Sequence, residues 1–163
     1  MATAWDYIAI VIFIAFSAFF SGSEIAYASV NELRLKKAAE AENGNKLAKL
    51  AYSIYSNYDD ALITILIGNN LVNIASSSVA TVIAIDIMGD KGTWVATAIM
   101  TVIILTFGEI VPKIIAVQTA FNFTQIASIP LKVLMIITFP IVWVIQRVLK
   151  ALDKLIKKED CLL

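Results

Sequence analysis

Polar and charged residues interrupt three otherwise apolar stretches of this sequence. The interruptions are Ser21 to Glu24, Gly68 to Asn73, and Gly108 to Lys113. They offer hydroxyl, amide and carboxylate oxygens, which are the ligands that hard cations such as Mg²⁺, Ca²⁺ and Na⁺ prefer. The sequence has no histidine and a single cysteine, Cys161, so it cannot supply a zinc or copper cluster. The chemistry indicated is therefore the binding of a hard cation by oxygen atoms.

The third interruption adds a backbone group to this set. Pro112 has no N–H, so in an α-helix the carbonyl of Gly108, four residues earlier, loses its hydrogen-bond partner. Inside a membrane such a carbonyl must be satisfied by another group, and a cation is one candidate. Lys113 lies four residues after Glu109, on the same face of an ordinary helix, and an ion pair of Glu24 or Glu109 with Lys113 is the purely structural alternative.

The composition places these residues in a membrane. Of the 163 residues, 60% are hydrophobic and 16% are charged, and the mean hydropathy is +0.82. A soluble domain carries more charge. The net charge of zero gives no attraction to nucleic acid, so none is expected as a partner. No basic residue precedes the first apolar stretch, which favours a permanent span over a signal peptide. We expect an all-α integral protein that crosses the cell membrane several times.

Three apolar stretches are long enough for transmembrane helices, which need about 20 residues. They run over about 5–30, 61–88 and 93–117. The segment 31–58 between the first two contains five Lys or Arg residues and a turn signal at Asn43 to Asn45, which predicts an amphipathic helical hairpin at the membrane surface. Because basic residues accumulate in cytoplasmic loops, we expect the hairpin inside and the N-terminus outside.

The fourth apolar stretch, 121–149, is predicted to be a juxtamembrane belt helix. A crossing would place Arg147 and the lysines that follow it outside the cell, against the usual charge distribution. Pro130 and Pro140 are expected to bend or break this helix. Residues 150–163 are predicted to begin a cytoplasmic helix. A four-span topology is the alternative.

The three interruptions are predicted to lie at one depth. At about 1.5 Å per residue, Glu24, Asn69 and Glu109 each lie about 10–14 Å from the cytoplasmic end of their span. Three helices can thus present them to one point. Small and amide residues in spans also serve helix packing, which is the structural alternative. A membrane enzyme that uses Glu24 or Glu109 as acid and base is disfavoured, because no activated nucleophile accompanies them.

Together the interruptions resemble the signature segments of the cyclin M/CorC transmembrane domain. The matching segments are Phe20 to Glu24, Ile67 to Asn73, and Gly108 to Lys113, and the resemblance covers roughly residues 5–150. It implies a magnesium transporter that exports Mg²⁺ in exchange for Na⁺. It also implies a homodimer with three spans and a belt helix per subunit, and a cytoplasmic CBS-pair module in the full-length protein.

The resemblance also implies which residues hold the ion. A dehydrated Mg²⁺ would lie in an inward-facing cavity, against serines of the first segment, an asparagine of the second, and the glycine carbonyl and glutamate region of the third. The implied ligands are Ser21, Ser23, Asn70, Gly108 and Glu109, with Asn69, Asn73 and Glu24 as further candidates and Gly22, Gly68, Pro112 and Lys113 beside them. The residues alone leave Mg²⁺, Na⁺ and Ca²⁺ open. An ion-binding membrane sensor or scaffold without transport is the alternative function.

Overall fold

The computed structural model describes residues 3–41 and 45–160, with side chains described up to Leu152. Helices account for nearly all of this part of the chain, and it contains no β-strand, which confirms the predicted all-α class. The elements are α1 Ala4–Ser29, α2 Glu32–Glu40, α3 Lys46–Tyr55, α4 Tyr58–Met88, a 3-10 turn Gly89–Lys91, α5 Gly92–Ile103, a π-helical segment Ile104–Ile110, and α6 Val111–Asp160.

In the part of the chain that the structure describes, two continuous helical stretches are long and apolar enough to cross a membrane. The first is α1, and the second is the helical run from Tyr58 to Leu152. We call the end of the bundle that carries Ser29 and Tyr58 the hairpin end, and the opposite end, with Ala4 and Met88, the loop end. These names fix positions along the helices in the text that follows.

Helix α1 continues without a break through its polar residues. Only the half nearer the hairpin end packs against other helices. All its buried residues lie between Ser17 and Tyr27, whereas Trp5 and Val11 near the loop end are 77% and 67% exposed. The polar side chains are thus on the packed half, among other helices. The exposed half is the apolar one, as expected of a surface that faces lipid acyl chains.

Helices α2 and α3 form a pair that packs against the hairpin end. The side chains of Asn31 and Asn45 accept hydrogen bonds from the first turn of each helix, from Arg34 N at 2.9 Å and Leu47 N at 3.0 Å, so both helices begin with an asparagine cap. Buried Leu35 and Ala51 contact Val30 and Ala120. Two residues of the predicted turn, Asn43 and Gly44, lie outside the described residues.

Helix α4 has 31 residues, about 46 Å at the usual rise, which is enough to cross a bilayer with some tilt. It ends at Gly89, whose φ of 68° is in the region that glycine adopts without strain. Helix α5 then runs back along α4. At the loop end these helices and α1 share an apolar cluster, which contains Ala80, Met100 and Ile104 with Ile10 and Ile14 around them.

Helix α6 bends at a place that the sequence did not indicate. The expectation of a break at Pro130 and Pro140 is wrong, because the backbone stays helical at both prolines, and a bend there stays a prediction. The one non-helical residue within α6 is Thr119, with φ −116° and ψ 18°. A proline removes one backbone hydrogen bond, and a membrane helix tolerates that loss where neighbouring groups compensate for it.

After Thr119, α6 packs beside α1 as far as the middle of that helix, where Pro130 and Leu134 lie next to Ile12 and Phe16, and then returns to the hairpin end. The Tyr27 hydroxyl donates to the Thr124 carbonyl at 3.1 Å, and further along Gln146 donates to Asp60 at the start of α4. The 22 residues between Thr124 and Gln146 would extend about 33 Å in a straight helix. Both of these contacts nevertheless lie at the hairpin end, so this part of α6 does not run to the loop end.

Candidate cation site

Three helical segments meet at the buried hydroxyl of Ser17. Ser17 Oγ donates to Asn69 Oδ1 of α4 at 2.9 Å and lies 3.5 Å from the carbonyl oxygen of Gly108. Ser17 itself is fully buried. Because a hydroxyl has one proton, the shorter contact is the hydrogen bond, and Ser17 engages the Gly108 carbonyl only weakly. We call Ser17, Asn69 and Gly108 the three-helix group.

The close approach at Gly108 requires glycine. A Cβ placed on this residue would lie 2.8 Å from Ser17 Oγ and 3.2 Å from Ser17 Cβ. Real Cβ contacts are essentially never shorter than 3.0 Å, so any side chain here would force the Ser17 hydroxyl or one of the two segments to shift. The glycine therefore brings a backbone carbonyl next to two polar side chains from other helices.

The π-helical segment also changes the charge pairing. Val111 N donates to the carbonyl of Thr106, five residues earlier, as in a π-helix. Such wide turns rotate the residues after them relative to those before, and Lys113 does not pair with Glu109. Instead Lys113 Nζ lies 3.3 Å from Glu24 Oε2 of α1. The structural alternative of an ion pair with Lys113 is therefore confirmed for Glu24 and wrong for Glu109.

Buried polar atoms without partners flank the three-helix group. Among the described side chains, Ser21 Oγ, Asn73 Oδ1 and Ser76 Oγ are buried and lack a hydrogen bond. Ser21 follows Ser17 by four residues, and Asn73 follows Asn69 by four, so each shares a helix face with a member of the group. Because α1 and α4 are antiparallel, Ser21 lies towards the hairpin end and Asn73 with Ser76 towards the loop end. We call these six residues the polar row.

An unpartnered buried polar atom needs a physical reason. Leaving a buried donor or acceptor unsatisfied costs about 1–3 kcal/mol. Native proteins tolerate few such atoms, and bound ligands or water are common explanations. Three of them on the helix faces that form the three-helix group are more than packing between helices needs. The polar row therefore has free capacity to bind a ligand that offers positive charge or hydrogen bonds.

Several residues predicted from the sequence occupy other positions. The Asn70 side chain is exposed and donates to Leu66 O of its own helix at 2.9 Å. Ser23 is buried, but its hydroxyl donates to Phe19 O at 2.7 Å. Glu109 is partly exposed. The structure thus brings Asn69 and Gly108 together and places Asn70 outside this group. Roles for Asn70, Ser23 and Glu109 in binding an ion stay predictions.

Two glycines beside the polar row serve the packing of aromatic rings. A Cβ on Gly68 would lie 2.3 Å from the Phe20 ring, and one on Gly22 would lie 2.7 Å from the Phe123 ring. Phe20 is almost fully buried and forms part of the cluster at the hairpin end. These glycines hold α4 and α6 close to α1, which is how the polar side chains of different helices come within reach of one another.

Sequence reasoning missed Ser17. Its signal was the four-residue spacing to Ser21 within one apolar stretch, but Ser17 has no neighbouring glycine or charge to mark it. In the described part of the chain, no group of three His, Cys, Asp or Glu side chains is placed to hold a metal ion. A cation in the polar row would therefore be held mainly by neutral oxygens.

The sequence matches the family model of the cyclin M transmembrane N-terminal domain over residues 8–160. The chain belongs to this family. Its membership, with the two long apolar stretches described above, makes it a membrane protein. The resemblance seen in the three signature segments is thereby confirmed.

Similar proteins come from bacteria and plants. A UPF0053 protein of Haemophilus influenzae is 39% identical over 150 residues, 92% of this chain and 35% of the relative. The UPF0053 inner membrane protein YfjD of Escherichia coli is 34% identical over 139 residues, 85% of this chain and 32% of the relative. A chloroplastic DUF21 domain-containing protein of Arabidopsis thaliana is 34% identical over 132 residues, 81% of this chain and 20% of the relative. The chain thus spans about a third of the length of the two bacterial relatives.

Proposed function

We propose that this domain transports Mg²⁺ across the cell membrane, exporting it in exchange for Na⁺, as a multi-pass homodimer. The observation that carries the proposal is the polar row, which combines the weakly engaged Gly108 carbonyl with the unpartnered Ser21 hydroxyl and Asn73 carbonyl. Mg²⁺ would be cargo, and no catalytic step is involved. Membership of the cyclin M family supports ion transport as the class of function.

The ligand set suits an ion that must be released. We assign Asn69 Oδ1, Gly108 O and Ser21 Oγ as the central ligands. These oxygens are neutral, and Glu109, next to Gly108, brings a negative charge nearby. Mg²⁺ prefers octahedral oxygen ligands at about 2.0–2.1 Å and gives up water reluctantly. A site with few formal charges binds it weakly enough to let it leave, as transport requires.

The path of the ion follows from the position of the polar row. We propose three spans, with the basic hairpin of α2 and α3 in the cytoplasm and the N-terminus outside. The return of α6 to the hairpin end at Gln146 supports a belt over a fourth crossing. Apolar Met100 and Ala80 lie beyond Ser76 at the loop end. The row would therefore be loaded from the cytoplasmic side.

A flux assay tests the proposal directly. The protein is reconstituted in liposomes that contain a Mg²⁺-sensitive dye, and Mg²⁺ movement is followed with and without an opposing Na⁺ gradient. We expect flux that rises with the Na⁺ gradient and that Asn69→Ala abolishes. Mg²⁺ binding by the same preparations is measured by calorimetry. No binding to the folded wild-type protein would contradict the proposal.

A Mg²⁺ sensor or scaffold is the second candidate function. The contacts of α6 with the start of α4 favour it, since Thr138 bonds Thr64 at 3.1 Å and Gln146 bonds Asp60. A change in α4 on ion binding would pass to the C-terminal part of α6 through these bonds. Mg²⁺ binding without flux in the full-length protein would support this function over transport. In that case a cytoplasmic module, such as the expected CBS pair, would respond to the change in α6.

A further inference from the structure

A polar basin of about 410 Å³ opens where α2 begins and α6 is kinked. It is distinct from the polar row, which lies within the bundle. Its walls come from the end of α1, the first turn of α2, and the chain on both sides of Thr119. The residues that offer polar groups to it are Ser29, Asn31, Arg34, Gln118, Thr119 and Asn122.

Arg34 is the cation of this basin, and its guanidinium stacks on an aromatic ring. Its guanidinium carbon lies 4.1 Å from the centre of the Phe121 ring, so the group stacks on the aromatic face. A stacked guanidinium keeps its N–H donors free at its edges, in the fork that matches a phosphate. Among the described residues, no carboxylate forms an ion pair with it. Glu32, the acid closest to it in the sequence, does not line the basin.

The basin lies where two helical stretches leave the apolar part of the chain. The apolar run of α1 ends at Val30, and the predicted third span ends at Val117, and both residues line the basin. This is the level at which the phosphates of lipid headgroups lie. The surrounding segment 31–58 contains five basic and three acidic residues, so its charge also favours an anion.

The geometry points to a binding site for the phosphate of an anionic phospholipid headgroup in this basin. The Arg34 guanidinium is its main ligand, and the side-chain amides of Gln118 and Asn122 are further donors. A bound headgroup would connect α2 to both sides of the Thr119 kink and so hold α6 in its direction around the hairpin end. The inference rests on the membrane position of the hairpin end and is independent of Mg²⁺ transport.

Native mass spectrometry of the detergent-solubilised protein, titrated with phosphatidylglycerol, tests this site. We expect Arg34→Gln to weaken binding of the first lipid about tenfold, because a charge-assisted contact to phosphate is lost. Asn122→Asp, an exposed residue outside the Arg34–Phe121 stack, places a negative charge beside the phosphate and should weaken binding similarly. Lys49→Gln is the matched control. It removes the same charge from the exposed face of α3, away from the basin, and should change binding less than about twofold.

Each other outcome overturns the inference. Equal losses in Arg34→Gln and Lys49→Gln would mean diffuse attraction to the hairpin and no site. If Asn122→Asp leaves lipid binding unchanged, the lipid binds elsewhere. This conclusion holds even if Arg34→Gln disturbs the fold. Inorganic phosphate that competes with the lipid at equal concentration would mean a site for the free anion. Size-exclusion profiles of all variants identify any that are misfolded.

Discussion

The middle of the helix bundle and its loop end use different kinds of side chain at their contacts. In the middle the buried Ser17 hydroxyl joins α1 to α4 and approaches the π-helical segment, and buried polar atoms without partners lie on either side of it. At the loop end the same helices meet through Ala80, Met100 and Ile104, and a cavity of about 330 Å³ there is lined almost entirely by apolar groups. The cation site proposed above lies in the first region, and the proposed loading from the hairpin end rests on this difference.

The largest effect should come from the asparagine that belongs to the three-helix group. We expect Asn69→Ala to reduce Mg²⁺ affinity at least about 100-fold, since it removes a ligand and leaves the Ser17 hydroxyl unpaired. Asn70→Ala is the matched control, because Asn70 is exposed and bonds its own helix. Isothermal titration of both variants with Mg²⁺ gives the comparison. A larger loss of Mg²⁺ affinity in Asn70→Ala than in Asn69→Ala would mean that Asn70, the asparagine implied by family resemblance, is the ligand.

At the loop end a substitution should affect stability and spare binding. Met100 is 5% exposed in the apolar cluster, so Met100→Ala should lower the free energy of unfolding by about 2–3 kcal/mol through the cavity it leaves. Ile99→Ala, at a neighbouring position that is 53% exposed, should cost less. Denaturation in detergent measures both. If Met100→Ala also lowers the Mg²⁺ affinity, the loop end contributes to ion binding and the two regions do not differ in that respect.

Ser21 should show opposite effects on stability and binding. Its hydroxyl is buried without a partner, so Ser21→Ala should stabilise the Mg²⁺-free protein by about 1 kcal/mol and weaken Mg²⁺ binding. Ser23→Ala provides the comparison, since the Ser23 hydroxyl already bonds Phe19 O. Thermal unfolding with and without Mg²⁺ reports both quantities. If Ser21→Ala destabilises the Mg²⁺-free protein, the Ser21 hydroxyl has a hydrogen-bond partner there and is not free to bind an ion.

The ion pair at the hairpin end should matter least. Glu24 and Lys113 side chains are 25% and 36% exposed, so Glu24→Gln should cost about 1 kcal/mol or less. Removing both charges, in Glu24→Gln with Lys113→Met, should recover part of that loss. The double-variant cycle of unfolding free energies measures the pairing energy. A coupling of zero would make the pair irrelevant to the fold, and a large effect of Glu24→Gln on Mg²⁺ affinity would make Glu24 a ligand.

The sequence indicates where polar residues interrupt apolar helices, and less about how the helices are turned. The helical class and the importance of Gly108 follow from composition and from Pro112. The choice of Asn69 over Asn70 depends on the rotation of α4 against α1, which neighbouring residues in a sequence do not reveal. Ser17 has no local marker, and the π-helical segment changes the register that α-helical spacing assumes. The ion-pair alternative therefore holds for Glu24 and fails for Glu109. Helix breaks at Pro130 and Pro140 were predicted wrongly, and the kink at Thr119 was not predicted.

A Mg²⁺-soaked structure of the protein at high resolution tests the assigned ligands of the ion. We expect one ion in the polar row, with Asn69 Oδ1, Gly108 O and Ser21 Oγ at about 2.1 Å, the distance typical of Mg²⁺. Distances of about 2.4 Å would instead indicate Na⁺ or Ca²⁺. An ion bound at Asn70 or at Asp59 and Asp60, with the Ser17–Asn69 hydrogen bond unchanged and no ion beside it, would contradict the account.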